Sequence, residues 1–319
     1  MELRRALSSM TRGWRFGWKW GWLLAWWLAR AAFGGEGVCL ATYNIENYIL
    51  ASNETRQAKS EASKAKVASV LREIGPDSLG LQEVGGQAAL LDLQRRLRAS
   101  GLDLPHFELV QGADTNIQVA LLSRYPITAR RPHAEDHYLL SNRRFRVSRG
   151  ILEAEVQVNA RYRLTVFVAH LKSRRAVPEA DEAEMRREEA RILRAKVAER
   201  LKTEPKSNIV VMGDFNDTKD SETVKLLVGR GRDQWFDTRP SERNGDTGYS
   251  PNTRWQPRTV SWTHYYGVED SYSRVDYILL HPNAASEWEA RGSYLPTVAD
   301  WGLASDHRPV VVTLRPEDR

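Results

Sequence analysis

Ten side chains able to move protons, hold a cation or meet an anion sit at the ends of apolar runs. Asn44 closes VCLATYN, Glu83 closes SLGLQE and His170 closes LTVFVAH. Asp214 and Asn216 follow NIVVM in GDFND, Asp276 precedes YILL, and Asp306-His307 stand just before RPVVVTL. Arg124 follows QVALLS, and Lys172 lies two residues past His170. Carboxylates and amides supply hard oxygen ligands that suit Mg²⁺ or Mn²⁺. An imidazole titrates near neutral pH and can take or give a proton. Each taken alone is weak: a Glu or Asp closing a strand is more often a cap or a solvated turn, and a lone His after a strand is usually a satisfied core or surface residue. Their joint occurrence at the tips of separate strands is informative, because loops on a rigid scaffold are where sites usually lie.

The elements that must position them are short and alternate in type. Strands are expected over 38–44, 78–83, 107–111, 118–123, 151–158, 164–170, 209–213, 275–281 and 310–314, each rich in Val, Ile, Leu or aromatics. Helices are expected over 64–74, stopped by Gly75-Pro76, over 87–100, stopped by Gly101, and over 179–203. The last is highly charged, with Met185, Ile192, Leu193 and Val197 as a narrow apolar face, so it is expected on the surface over a sheet. Residues 240–257 are polar and Gly/Pro-rich and read as one long loop. No internal repeat is present. The pattern predicts a single α/β domain with sheets covered by helices.

Charge and aromatic content at first suggest a polyanion binder, but their distribution removes most of that signal. The 319 residues carry 47 Lys plus Arg against 41 Asp plus Glu, and 11 Trp. Residues 1–30 hold six of those bases, one of the acids and six of the Trp, which leaves 41 bases against 40 acids beyond them. Residues 1–35 have the parts of an export signal: a basic stretch to Lys19, the apolar run GWLLAWWLA, and Ala29-Arg30-Ala31 as an A-x-A pattern. That nine-residue run is shorter than the ~20 residues needed to cross a bilayer. An exported protein, periplasmic or extracellular, is expected, with a membrane anchor at residues 14–33 as the alternative and residues 36–319 as the catalytic domain. An apolar share of 41% with 28% charged residues excludes disorder and a polytopic membrane protein. The single Cys39 excludes an intrachain disulfide framework and a Cys-based zinc site.

In chain order, YNIEN, LQEV, LLSRYP, AHLKS, GDFND, RVDYI and SDHRP span residues 43–309. This series resembles the endonuclease/exonuclease/phosphatase superfamily, the DNase I-like proteins. The resemblance implies a four-layer sandwich, two packed mixed β-sheets flanked by helices, and hydrolysis of phosphoesters with one or two Mg²⁺ or Mn²⁺ ions. It implies Glu83 as principal metal ligand, with Asn44 and Asp306 in the same shell. It makes either the Asp of GDFN, Asp214, or the Asp276–His307 pair the general base, and the pair is favoured. Asp214 and Asn216 would orient the attacking water or hold a second ion, His170 would bind a non-bridging phosphate oxygen, and Arg124 and Lys172 would neutralise phosphate.

The substrate is less constrained. AP endonucleases carry a Tyr-containing segment where this chain has AHLKS. Inositol phosphatases carry a Trp-x-Asp-Arg element where it has SRVDYI. Sphingomyelinases show other residues after the His than Lys172-Ser173. The set is most similar to bacterial exported nucleases, so an endonuclease acting on DNA or RNA is expected, a monomer without an obligate protein partner. A sphingomyelinase-like phospholipid phosphodiesterase or a small-phosphoester phosphatase is the alternative. A catalytically silent binding module is disfavoured, because every expected catalytic position is filled. Nucleic-acid contact would come from a local cluster of Arg130, Arg131, Arg143, Arg144, Arg146 and Arg149, from Arg174-Arg175, and from base stacking on Trp235, Trp255, Trp262 and Tyr265-Tyr266.

Overall fold

Apolar strands buried on both faces dominate the chain, and they assemble into two six-stranded sheets packed face to face. The computed structural model describes residues 37–243 and 259–316. The leader, Trp255 and most of the expected 240–257 loop lie outside the described residues. The first sheet has the order β15 (Trp288–Tyr294), β16 (Val310–Leu314), β1 (Val38–Tyr48), β2 (Ser78–Val84), β4 (Gln118–Ser123), β3 (His106–Val110). The second has the order β11 (Phe236–Asp237), β14 (Asp276–Leu280), β10 (Asn208–Asp214), β9 (Arg163–His170), β8 (Ile151–Gln157), β5 (Ile127–His133). Both are mixed: β1 with β2 and β9 with β10 are parallel, and the other pairs are antiparallel. Two small hairpins stand apart, β6 (His137–Leu140) with β7 (Arg143–Arg146), and β12 (His264–Tyr266) with β13 (Ser271–Ser273).

Three apolar layers hold this arrangement. Between the sheets, Leu40, Val119, Leu121 and Val312 meet Leu152, Val166, Val168, Met212 and Ile278. The sheets approach so closely at Gly80 that a Cβ there would lie 2.7 Å from the Met212 Sδ. On the outer face of the first sheet lie α1 (Glu61–Ile74) and α2 (Gln87–Ala99), which bury Val67, Leu71, Leu90, Leu93 and Leu97. On the outer face of the second lie α3 (Glu182–Thr203) and α4 (Glu222–Val228), which bury Leu193, Val197, Val224 and Leu227. Each fully buried Leu or Val contributes ~1.5–3 kcal/mol of hydrophobic stabilisation. The α1 helix starts where the Ser60 side chain accepts from Ser63 N at 3.1 Å and stops at Gly75, which takes the left-handed conformation at φ 60°. The expected four-layer sandwich is therefore present.

Helix α3 departs from the expected surface helix in one respect. Besides its apolar residues it buries Arg186 and Glu189, at 4% and 0% exposure. Charges so deep require partners, and both find them in the loops after β9 and β10, described next.

Candidate active site

Strand direction brings the polar tips together. In the first sheet β1 and β2 run parallel with Asn44 opposite Gln82, so Asn44 and Glu83 emerge at one edge. In the second, β9 and β10 run parallel with His170 directly opposite Asp214, and antiparallel β14 places its first residue, Asp276, opposite Asp214. Strand β16 runs antiparallel to β1, which leaves Asp306-His307 at the same edge. Ser305 Oγ ties that segment down by donating to Asn44 O at 2.8 Å. The two sheets present this edge side by side, and Asn44 bridges them.

Asn44 Nδ2 donates to Asp214 Oδ2 at 3.0 Å and approaches Glu83 Oε1 at 3.4 Å, while its Oδ1 accepts from Glu46 N. Asp214 Oδ2 also lies 3.4 Å from His170 Nε2 and 3.8 Å from His307 Nε2. Its Oδ1 accepts from Asn216 N at 2.8 Å. His307 Nδ1 pairs with Asp276 Oδ2 at 2.8 Å. Asn44, His170, Asp214, Asp276 and His307 are all buried. Glu83 and Asn216 stand at the edge with φ of 66° and 53°, a left-handed backbone that costs ~1–3 kcal/mol per non-glycine residue and concentrates at functional sites. Beside them Gly213 has φ 143°, and a Cβ there would lie 1.9 Å from Ala169 O, so only glycine lets β10 lie this close to β9.

Burial and crowding of charge set the protonation states. Burial, reinforced by Asp276, pushes the Asp214 carboxyl up to about 6, against the opposing pull of His307, the Asn216 N–H and Asn44. Burial alone would lower the His307 imidazole, but Asp276 and then Asp214 outweigh it and raise it to about 10. His170 is driven well below its ordinary value by burial, with Arg149, His307 and Arg56 adding to the effect. Of the two imidazoles beside Asp214, His170 is thus neutral and His307 cationic.

Residues able to hold a cation converge here. Ligand atoms of Asp214, Asp276 and His307 lie within 4.8 Å of one another, as do those of His264, Asp306 and His307. Asp276 Oδ1 and His170 Nδ1 are buried without a hydrogen-bond partner. The Asn44 amino group stands between the Glu83 and Asp214 carboxylates, the position from which an amide oxygen would share a cation with them. Oxygen donors of this kind fit a hard divalent ion.

Of the expected residues, the structure gathers Asn44, Glu83, His170, Asp214, Asn216, Asp276, Asp306 and His307 at this edge. Two stand elsewhere. Arg124 follows β4, which is antiparallel to β2 with Ser123 opposite Ser78. It therefore lies beside Asp77, pairing Nε to Oδ1 at 3.2 Å, at the far end of β2 and ~20 Å along the strand from Glu83. Lys172 lies in the loop beyond the end of β9. Its Nζ donates to Arg175 O at 2.9 Å and Ser173 O at 3.2 Å, which makes it a brace of its own loop.

The proposed Arg cluster is largely neutralised. Arg130 pairs with Glu108, Arg131 with Glu153, Arg146 with Glu135, and Arg149 Nε lies 3.8 Å from Asp114. Trp235 is buried under the Arg194 guanidinium and is no stacking platform. Trp262 packs against Tyr272, Trp301 and Arg308.

Several site residues escape a reading of the sequence. His264 pairs across to His307, its ring centroid 4.5 Å away, and its Nε2 lies 3.6 Å from Asp306 Oδ2. Burial opposes the ionisation of Asp306, but the neighbouring His264 and His307 imidazoles outweigh it and hold its carboxyl below the ordinary value. Thr263, fully buried, accepts through Oγ1 from Val275 N and Asp276 N, while its O accepts from Arg308 N, so it joins the Asp276 and His307 segments. The signal for both was the fragment WTHYYG, read only for its aromatics. Glu189 accepts from Ser148 N, Ser148 Oγ and Lys172 N, and Arg186 donates to Lys172 O and Asp217 Oδ2, fixing both loops that follow β9 and β10.

No curated protein sequence matches the chain. Solved structures do. It is similar to a truncated Caenorhabditis elegans TDP2 at 17% identity and a TM-score of 0.55, over 88% of this chain and 98% of that one. It is similar to an endonuclease/exonuclease/phosphatase family protein from Leptotrichia buccalis C-1013-b at 14% identity and a TM-score of 0.57, over 87% and 99%. It is also similar to beta toxin 275-280 from Staphylococcus aureus at 15% identity and a TM-score of 0.57, over 86% and 99%. These likenesses are of fold. The sequence signature of the Endonuclease/Exonuclease/phosphatase family matches residues 41–307, which contain all the residues gathered at the site edge, and the chain belongs to that family.

Proposed function

We propose that this protein is an exported, metal-dependent phosphodiester hydrolase that cuts DNA or RNA endonucleolytically, as a monomer, by in-line attack of water. Its family is generally hydrolytic on phosphodiester bonds and generally depends on a divalent metal. The observation that carries the reading is the buried contact of Asp214 with Asn44, His170 and His307, beside the His307–Asp276 pair.

The roles follow from protonation and position. A base must be unprotonated, and a carboxylate raised to about 6 is a better acceptor near neutral pH than an imidazolium raised to about 10. This favours Asp214 over His307 as the group that takes the proton from water, with the Asn216 N–H holding its other oxygen. His307, kept cationic by Asp276, stabilises charge building on the phosphoryl oxygens, and His170 adds a neutral donor there. A divalent ion, Mg²⁺ or Mn²⁺, held by Glu83 with Asn44 and Asp306, would act as a Lewis acid on the phosphoryl oxygen. Arg124 and Lys172 have no part in this scheme.

Export rests on the leader alone. Among the described residues no helix is long and apolar enough to cross a membrane.

One feature favours a second reading, a phospholipid phosphodiesterase. The β12–β13 hairpin, which supplies His264, exposes Tyr266, Val268 and Tyr272, the valine to 82%. Plasmid DNA, RNA, sphingomyelin vesicles and bis-p-nitrophenyl phosphate, each with Mg²⁺ and with EDTA, separate the readings. Metal-dependent cleavage of DNA or RNA supports the first. Cleavage of sphingomyelin alone supports the second, and absence of metal-dependent turnover on all four contradicts both.

A further inference from the structure

A groove of about 590 Å³ opens beside the catalytic edge. It starts at Asn47, whose backbone N–H donates to Glu83 Oε2 at 2.8 Å, and at Glu46, whose N–H donates to Asn44 Oδ1 at 3.0 Å. Three loops line it: the one between β1 and α1, the one after β9 that follows His170, and the one between β3 and β4, which supplies Asn116. Its charged lining is Arg56, Lys59 and Arg175 against the single carboxylate of Glu46, and the rest is hydroxyl, amide and one alanine.

These cations differ in how far they are committed. Lys59 is anchored, its Nζ donating to Glu46 O at 2.8 Å and lying 3.7 Å from Glu46 Oε2. Arg56 donates to Asn47 Oδ1 and lies 3.5 Å from Asp114. Asp114 is itself shared with Arg149, so it does not neutralise Arg56 alone. Arg175 is exposed and has no ion pair among the described residues. Two fixed cations and one free arginine, in a polar groove that begins at the Glu83 carboxylate, form an environment short of one anion. A quaternary ammonium headgroup would meet like charge here, and an acyl chain would meet no apolar wall.

We propose that this groove is a subsite for a second phosphate of the substrate, the one next to the scissile phosphate, and that Arg175 is its principal donor. The inference rests on the nuclease reading above and narrows it: the enzyme selects a polyphosphodiester strand over a lone phosphodiester. Arg175 closes on the incoming phosphate with two parallel N–H donors, the geometry in which a guanidinium binds phosphate most strongly. Arg56 and Lys59 supply the background potential and the alignment of Asn47. Specificity toward the strand thus comes from three residues, in a protein whose chain beyond the leader carries nearly balanced charge.

The test uses the full chain with Mg²⁺ and three dinucleotides: dithymidine monophosphate, and the same molecule with an added 5′- or 3′-terminal phosphate. In the native protein one terminally phosphorylated form has kcat/KM at least tenfold above the unmodified dinucleotide, as one charge-assisted contact supplies. Arg175→Glu collapses that ratio to below threefold, mainly through KM. Arg175→Lys keeps a smaller preference, because it retains the charge and loses the fork. Thermal melting confirms that each variant is folded. Two results overturn the subsite while leaving the nuclease reading intact: equal kcat/KM on all three dinucleotides in the native protein, or a preference that survives Arg175→Glu. Absence of turnover on every dinucleotide and on bis-p-nitrophenyl phosphate defeats the nuclease reading, and the subsite with it.

Discussion

His307 Nδ1 and Asp276 Oδ2 lie 2.8 Å apart, both buried, and the carboxylate faces no other cation in that contact. The pair fixes the imidazole so that Nε2 points toward Asp214 and the open edge. Asp276→Asn keeps a side chain of the same shape and removes the charge. Its expected effects are a His307 titration that falls from about 10 toward the ordinary histidine value and a kcat lower by roughly 10²-fold. NMR of the imidazole signals against pH, with steady-state kinetics, checks both. An unmoved His307 titration contradicts the assigned coupling.

Glu189 reaches from helix α3 to the backbone just beyond His170, accepting from Lys172 N at 2.7 Å and Ser148 N at 2.8 Å. Glu189→Ala strands these buried donors, which costs about 3 kcal/mol. The melting temperature should fall by roughly 2–4 °C for each kcal/mol. Glu189→Gln keeps one acceptor and should lose less stability, with kcat down about tenfold because the His170 loop is no longer held from both sides. Native kcat in Glu189→Gln would show that the clamp does not reach the chemistry.

Arg124 gives the complementary prediction. Its side chain pairs with Asp77 at the opposite end of β2 from Glu83, and it is largely exposed. Arg124→Ala should leave kcat and KM within about twofold, and should cost about 1–3 kcal/mol of stability, because the buried Asp77 carboxylate loses its ion-pair partner. A loss of activity above tenfold in a folded variant contradicts the strand direction described here.

Acid stability should report on Asp92. It accepts from Tyr48 Oη at 2.9 Å, from Arg96 Nε at 2.7 Å and from Arg95 Nη2 at 2.5 Å. Burial opposes its ionisation, but these donors outweigh burial and hold its pKa below the ordinary value. A carboxylate depressed on folding stabilises the native state fully above its unfolded pKa of about 3.9 and loses that contribution as pH falls through the lower folded value. Asp92→Asn should therefore melt several degrees lower at pH 7, and the gap should narrow as pH falls below the unfolded value of about 3.9 and through the lower folded one. A gap that widens on acidification would reverse the assigned sign.

The strands were legible because most are buried on both faces and read as continuous apolar runs, and the polar residue closing each run was legible as a break in it. Eight of the residues singled out in this way meet at one edge. Arg124 misled because a sequence does not give strand direction: the same position after a parallel strand would have faced Glu83. His264 was hidden in a three-residue, half-buried strand with no apolar run. Glu189 and Arg186 were hidden among the many charges of α3, since nothing in that pattern says which charges point inward. The Arg cluster looked basic because its partners, Glu108, Glu153 and Asp114, lie far off in sequence.

The central claim is that Asp214, at the meeting point of both sheets, takes the proton from water in a divalent-metal-dependent hydrolysis. The most direct measurement is the rate on bis-p-nitrophenyl phosphate of the native protein and of Asp214→Asn, each with Mg²⁺ or Mn²⁺ and with EDTA. The account predicts turnover that EDTA abolishes and added metal restores, and a loss of at least 10³-fold in Asp214→Asn with the fold intact. Turnover by the native protein that survives EDTA, or near-native turnover by Asp214→Asn, would contradict it.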